Sequence, residues 1–245
     1  MKKIDGHIHI GKWGSVFYNY ETNVQQAIDV MNEAGITAAI CMPASDEPNI
    51  ILLNECYDRS DFKFYFASWI DPEDRYLESF LNQNLYKISC FKFHPSFQKI
   101  KITDDAYKIY LKLAEDNNKP VIIHCGRWKE IADYHYPLEL VESYPELKII
   151  LAHLGGDQPG LYLECAKEIK KRNLANVYVG TESIREFYFV NEVVNILGAD
   201  KIIFGSDYNL GLPQMYFPVI DSLKITEEER EMIYSGNILR LLNDV

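Results

Sequence analysis

Short, almost continuous apolar runs alternate along the chain with longer stretches in which apolar residues recur every three or four positions. The short runs are KIDGHIHI, TAAICMP, FKFYFASW, ISCFKFH, PVIIHCG, KIILAHLGG, NVYVG and KIIFGSD. Runs of this length with little polar alternation belong to strands covered on both faces. Between them, NVQQAIDVMNEAG, DDAYKIYLKLAEDNN, LYLECAKEIKKRN and IREFYFVNEVVNILG carry the helical period and end near Gly or Asn. The predicted strands start at Ile4, Thr37, Phe62, Ile88, Pro120, Leu147, Asn176 and Lys201, and the 25 to 33 residues between starts hold one strand, one loop and one helix. Eight such units predict an α/β fold of the (β/α)8 TIM-barrel type, with residues 1–245 as one domain. In the alternative, an open doubly wound sheet, the first strand leads into a glycine-rich phosphate loop, a pattern that GKWGS lacks. The last segment, TEEEREMIYSGNILRLL, opens with a capping box from Thr226 to Glu229 and is expected to close the barrel with a helix.

The first run departs from the apolar rule. In IDGHIHI, strict alternation puts Asp5, His7 and His9 on one face and Ile4, Ile8 and Ile10 on the other. Taken alone, that polar face suits an edge strand with a solvated side as well as a strand aimed at a metal. The other histidines tip the balance. Of six in the chain, His7, His9, His94, His124 and His153 fall at or near the C-terminal ends of predicted strands, and only His135 lies in a loop. Asp207 follows the eighth strand in the same way. In a parallel barrel these ends converge on one face, where barrel active sites are built. Each residue alone reads as a core histidine or a helix cap. Gathered at one pole, imidazoles and a carboxylate are the ligand set of Zn²⁺ or a related divalent ion.

Composition then narrows the class. A net charge of -11 with scattered Lys and Arg argues against a nucleic-acid groove or an anionic membrane surface. Cys41, Cys56, Cys90, Cys125 and Cys165 lie in apolar or helical segments without CxxC spacing and read as free thiols in a reducing compartment. No apolar run reaches the ~18 residues of a membrane span, and the first histidine comes too early for a cleaved signal peptide. The expectation is a cytoplasmic protein with a small-molecule partner, its homo-oligomerisation left open.

The HxH of His7 and His9, HCG with His124, AHLGG with His153, GSD with Asp207 and the terminal GNILRLL together resemble the amidohydrolase superfamily. They most resemble its amidohydrolase-related branch, which includes enzymes of the aminocarboxymuconate-semialdehyde decarboxylase type. The resemblance runs in order along essentially the whole chain and is specific to superfamily, not to substrate. It implies that His7, His9, His124 and Asp207 hold one divalent metal, zinc or alternatively manganese. It also implies that His153 works beside the metal-bound water; His153 as proton carrier or carbonyl polariser, and Asp207 as ligand that also accepts the water proton, are competing roles that the sequence leaves open. A metal with an open coordination position lowers the pKa of its bound water toward about 7.

FKFHP, with Lys92 and His94, looks like the mononuclear branch; binuclear members carry a carbamylated lysine on this strand that bridges two metals. For this pair, contact with substrate stands beside a structural role in which a carboxylate holds the lysine and Pro95 fixes the histidine. A related barrel family of metal-dependent deoxyribonucleases also opens with HxH, but it is expected to carry a glutamate ligand in a GEIGLD-like context, which FKFHP lacks.

The loops expected at the barrel mouth, GKWGSVFYNYET, GRWKEIADYHYP, TESIREFYF and SDYNLGLPQMYFP, are rich in Trp, Tyr and Phe. They either pack on one another or line a pocket for a compact, partly apolar substrate, with Trp13 among the candidates. Arg127 and Arg185 follow the fifth and seventh strands, where they could clamp a carboxylate or serve as surface charges. The leading expectation is a metal-dependent hydrolase of a C–N or C–O bond in a small molecule. A decarboxylase of the same branch is the alternative, and a non-catalytic ligand-binding barrel the third. Long insertions over the mouth, expected in larger branch members, are missing from a chain of 245 residues, and this favours hydrolysis.

Overall fold

The structure is a computed structural model and describes residues 1–244. Its strands are β1 (Ile4–Lys12), β2 (Glu21–Thr22), β3 (Ala38–Pro43), β4 (Lys63–Ile70), β5 (Cys90–Phe93), β6 (Val121–Ile123), β7 (Ile149–Leu151), β8 (Val177–Gly180) and β9 (Ile202–Ile203). They form one mixed sheet in the order β2-β1-β3-β4-β5-β6-β7-β8-β9, curved into a half-barrel with helices. Every pairing is parallel except that of β1 with β2. Each predicted strand has its counterpart with a start displaced by two residues or fewer. Only β2 was not anticipated, because two residues are too short to show a period.

Helices fill the intervals between parallel strands. Those over Val24–Glu33, Asp105–Asp116, Pro159–Arg172 and Phe187–Leu197 coincide with the four helical patterns. Their starts follow local chemistry. Asn23 and Gln26 cap the first reciprocally, and the Asp104 carboxylate accepts from the Ala106 amide at 3.0 Å. The capping box from Thr226 to Glu229 forms as the spacing predicts. No helix among the described residues is long and apolar enough to cross a membrane.

Side-chain alternation divides the apolar residues into two layers. A smaller cluster takes Ile4, Ile40, Ala67, Cys90, Ile122, Ile150 and Ile203 from the strands and is covered by Ile238 and Leu241 of the C-terminal helix, Asn237–Leu242. The larger cluster joins the opposite strand faces, including Ile8, Cys41, Phe91 and Ile123, to the surrounding helices. The C-terminal helix sits at the start of the strands: Lys148, just before β7, donates to the Leu241 carbonyl at 3.2 Å. Residues near the strand ends therefore lie at the other pole.

The sequence expectation for β1 needs two corrections. Every residue of β1 except Lys12 is buried, so the strand has no solvated face. Ile4 also does not share a face with Ile8 and Ile10, since it belongs to the smaller cluster and they belong to the larger. The cause is a bulge. Asp5 pairs with Ala39 but Ile8 with Cys41, so three steps of β1 run against two of β3 and the alternation slips by one. Gly6 lies in this bulge, where its amide donates to the Phe204 carbonyl at 2.8 Å. A Cβ at Gly6 would stand 2.7 Å from Ile203 Cγ2 and 2.8 Å from that carbonyl oxygen. Asp5 thus leaves the face of His7 and His9 and instead accepts from the amides of Ser206 at 2.9 Å and His7 at 3.1 Å. Burial pushes its carboxyl up to about 7.

The segment after β9 lies along β1. The Asp207 amide donates to the His7 carbonyl at 3.0 Å, the His9 amide donates to the Tyr208 carbonyl, and Ile8 and Tyr208 form a parallel bridge. These bonds join the ends of a segment about two hundred residues long.

Candidate active site

Beyond the bulge, His7 and His9 project from β1 toward Asp207, and the three offer ligand atoms all within 4.8 Å of one another. The two Nε2 atoms are 3.2 Å apart, and they stand 3.7 Å and 3.8 Å from Asp207 Oδ1. Burial holds both imidazoles well below their ordinary pKa, so each ring is neutral and carries one proton. The partners of the other nitrogens decide where that proton sits. Nδ1 of His9 is 2.9 Å from the Pro43 carbonyl, and Nδ1 of His7 is 3.0 Å from Glu182 Oε1. Both acceptors require Nδ1–H, which leaves the Nε2 lone pairs turned toward each other.

Two lone pairs facing at this distance repel unless a cation stands near both. Lys92 answers part of that need, with Nζ 3.2 Å from His7 Nε2. Its ammonium is fully buried, and desolvation brings it down to about 8 against the pull of Glu182 and Asp207. Among the described residues no carboxylate lies within ion-pair distance of it, and its hydrogen-bond contact is with an imidazole. A divalent metal fits the same place, because imidazole nitrogen and carboxylate oxygen are its usual ligands.

His124 stands outside this cluster of three but lines the same cavity. Its Nδ1 is 3.1 Å from His153 Nε2, and His153 Nδ1 is 3.1 Å from the Glu182 carbonyl. With the His153 proton on Nδ1, His124 donates from its own Nδ1 and its Nε2 is left bare. That Nε2 is buried and has no hydrogen-bond partner among the described residues. A bare imidazole nitrogen beside an imidazole-carboxylate cluster has the chemistry of a metal ligand.

Asp207 is fastened at one oxygen. Ser183 Oγ donates to Oδ2 at 2.7 Å while Oδ1 faces the imidazoles. Burial opposes its ionisation, yet the carboxyl is held below its ordinary value, with the Ser183 hydroxyl donating to it. His94 stacks on His124 with ring centroids 3.8 Å apart, and its Nδ1 accepts from the Phe97 amide at 3.3 Å. It is the cap of the short helix Pro95–Gln98 as well as part of the cavity wall.

The cavity above this floor has a volume of about 240 Å³. Trp13, Phe17, Phe97, Tyr162 and Arg127 line it with the histidines. Trp13 is buried, 4.7 Å from the His9 ring, and donates from Nε1 to Asn209 Oδ1 at 2.6 Å. The Arg127 guanidinium lies 5.2 Å over the Phe17 ring. Arg185 is exposed and is not part of the cavity, so the mouth holds one of the two expected arginines. Glu182, Ser183, Phe17 and Phe97 were missed by sequence reasoning. The first two follow β8 in TESI, where a lone acidic residue or serine is indistinguishable from a helix cap.

A family model for Amidohydrolase matches residues 4–243. No curated protein matches the sequence. Among solved structures, the fold is similar to 2,6-dihydroxybenzoate decarboxylase from Rhizobium, with 16% identity over 99% of both chains and a TM-score of 0.76. It is also similar to a protein named as a 2-pyrone-4,6-dicarboxylic acid hydrolase from Acinetobacter baumannii, with 16% identity over 99% of this chain and 100% of that one and a TM-score of 0.73. An amidohydrolase from Burkholderia multivorans with bound zinc covers 99% of both chains at 12% identity, with a TM-score of 0.75. At these identities the likeness is one of fold.

Proposed function

The chain belongs to the amidohydrolase family and is an enzyme of that superfamily, and from this premise we propose that it is a metal-dependent hydrolase cleaving a C–N or C–O bond in a small carboxylate-bearing molecule. The observation that carries this reading is the convergence of unprotonated imidazole nitrogens on one carboxylate at the floor of an open cavity. His7, His9 and Asp207, with His124 through its bare Nε2, would hold one divalent ion, zinc in the first place and manganese in the second. Such an ion supplies Lewis acidity at a substrate oxygen and a water acidified to near neutral pH.

The chain's own groups complete the reaction. Asp207, ionised and oriented by Ser183, is placed to accept a proton from attacking water. His153, whose ring stands 6.0 Å from that of His7 in the cavity wall, carries that proton to the leaving group once its Nε2 turns from His124 to the substrate. Arg127 pairs with a substrate carboxylate, and Trp13 and Phe97 enclose its apolar part. We further read the sheet as a closed (β/α)8 barrel; support comes from the bonds of Gly6 to Phe204 and of Asp207 to His7. Five free, buried thiols support a reducing, cytoplasmic setting.

Decarboxylation by the same site is the second reading. The near-parallel rings of Trp13 and Phe97, 6.0 Å apart at 25°, favour it because they suit a planar acid beside Arg127. Chain length does not oppose it, since the alignment spans 99% of the Rhizobium decarboxylase. The deciding experiment takes the best substrate from a screen of small amides, lactones, phosphoesters and aromatic acids into ¹⁸O-labelled water. Hydrolysis gives product with one solvent oxygen and no carbon dioxide; unlabelled product with carbon dioxide establishes the decarboxylase.

A further inference from the structure

We propose that Glu182 is the positioning residue of this site, setting the tautomer of His7 through its carboxylate and the orientation of His153 through its own peptide carbonyl. The proposal rests on the metal-dependent reading above and deepens it. Glu182 Oε1 is 3.0 Å from His7 Nδ1 and 3.2 Å from the His153 amide, while the Glu182 carbonyl is 3.1 Å from His153 Nδ1. One residue thus holds a proton on Nδ1 of two rings that come from different strands. His7 Nε2 is thereby left as a lone pair toward His9 and Asp207. His153 Nε2 is left to accept from His124, which in turn bares His124 Nε2.

The fold makes room for this carboxylate at some cost. Glu182 is 2% exposed, and a buried carboxylate is expensive unless its oxygens are bonded. β8 ends in Gly180, where a Cβ would strike Glu182 Oε2, so the side chain folds back over the strand end through space that only glycine leaves open. The next residue, Ser183, holds Asp207, so the turn from Thr181 to Ile184 reaches His7, His153 and Asp207 together. Fixing the tautomer of a metal-binding histidine through a carboxylate on its far nitrogen raises the basicity of the ligating one.

Long-range ¹⁵N spectra of the metal-free full-length chain read histidine tautomers directly, and the chain has only six histidines to assign. In the unmodified protein His7 and His153 are both expected as Nδ1–H. In Glu182→Ala carrying Lys92→Met, compared with Lys92→Met alone so that no ammonium holds His7 Nε2 as an acceptor, His7 loses that tautomer while His153 keeps it, because its acceptor is a backbone oxygen. Zinc affinity, read by competition with a chromophoric chelator, falls by roughly 10–100-fold. Glu182→Gln, whose amide oxygen still accepts from Nδ1–H, preserves the His7 tautomer and recovers most of the affinity. Glu182→Leu is the second acceptor-free variant should the alanine variant not fold. An unchanged His7 tautomer in both acceptor-free variants overturns the proposal, as does equal loss of affinity in the alanine and glutamine variants. Failure of the unmodified protein to bind zinc, cobalt or manganese overturns the metal-dependent reading instead, and the tautomer comparison still decides the role of Glu182.

Discussion

Arg127, His153, Leu154, Ser183 and Asp207 are not glycines, yet each has a left-handed backbone, with φ of 68°, 57°, 52°, 63° and 59°. Such a conformation costs a residue with a Cβ roughly 1–2 kcal/mol. All five lie on loops after β6 to β9 beside the cavity, while Asp58, Asn118, Asn173 and Asn243 share the conformation elsewhere among the described residues; strain of this kind is common at sites of function. A comparison at Arg127 isolates the cost, because alanine and glycine both remove the guanidinium and only one keeps a Cβ. We expect Arg127→Gly to be more stable than Arg127→Ala by about 1 kcal/mol, read from urea midpoints, although glycine ordinarily loses more entropy on folding. Both variants should raise KM for an acidic substrate equally. Equal midpoints would show that the turn relaxes without strain. For His153, replacement by Asn should leave metal content intact and lower turnover by roughly 10²–10⁴-fold, the effect of lost acid–base assistance. Loss of metal along with activity would make it a ligand. These histidines were legible in the sequence because strand ends announce themselves by apolar runs. Glu182 was not, since what marks it is a partner 175 positions away in His7.

Among the elements, β1 departs most from its pattern. Period-two alternation correctly set His7 and His9 side by side, but it carried Asp5 with them and united Ile4 with Ile8 and Ile10. The bulge that separates them depends on Ile203 and Phe204, which approach Gly6 from the far end of the chain. No local window contains that information. Gly6→Ala should therefore destabilise the protein by about 1–3 kcal/mol, the usual result of overpacking, and should lower its metal content by displacing His7. A urea midpoint and metal content both unchanged would mean that β1 accommodates a Cβ at the bulge. The helices, by contrast, were legible nearly in full, because their caps and apolar spacing are written within each segment, as at Asn23 and Thr226.

For the whole molecule, eight strand-helix units could be counted from the sequence, whereas the meeting of β1 with the segment after β9 could not. That meeting completes the proposed ligand set, and it links metal binding to stability. Zinc at 100 times its Kd should add about 2.7 kcal/mol, seen as a rise in melting temperature that a chelator reverses. His7→Ala should show no such rise; a rise of the same size in that variant would locate the metal elsewhere. The bond from the Asp207 amide to the His7 carbonyl has one more consequence, for the order of events during synthesis. Some two hundred residues leave the ribosome between His7 and the Asp207 that comes to lie beside it. The growing chain consequently lacks the complete form of the proposed metal site until Asp207 has emerged, and metal binding there would follow synthesis of β1 to β9 and not accompany it.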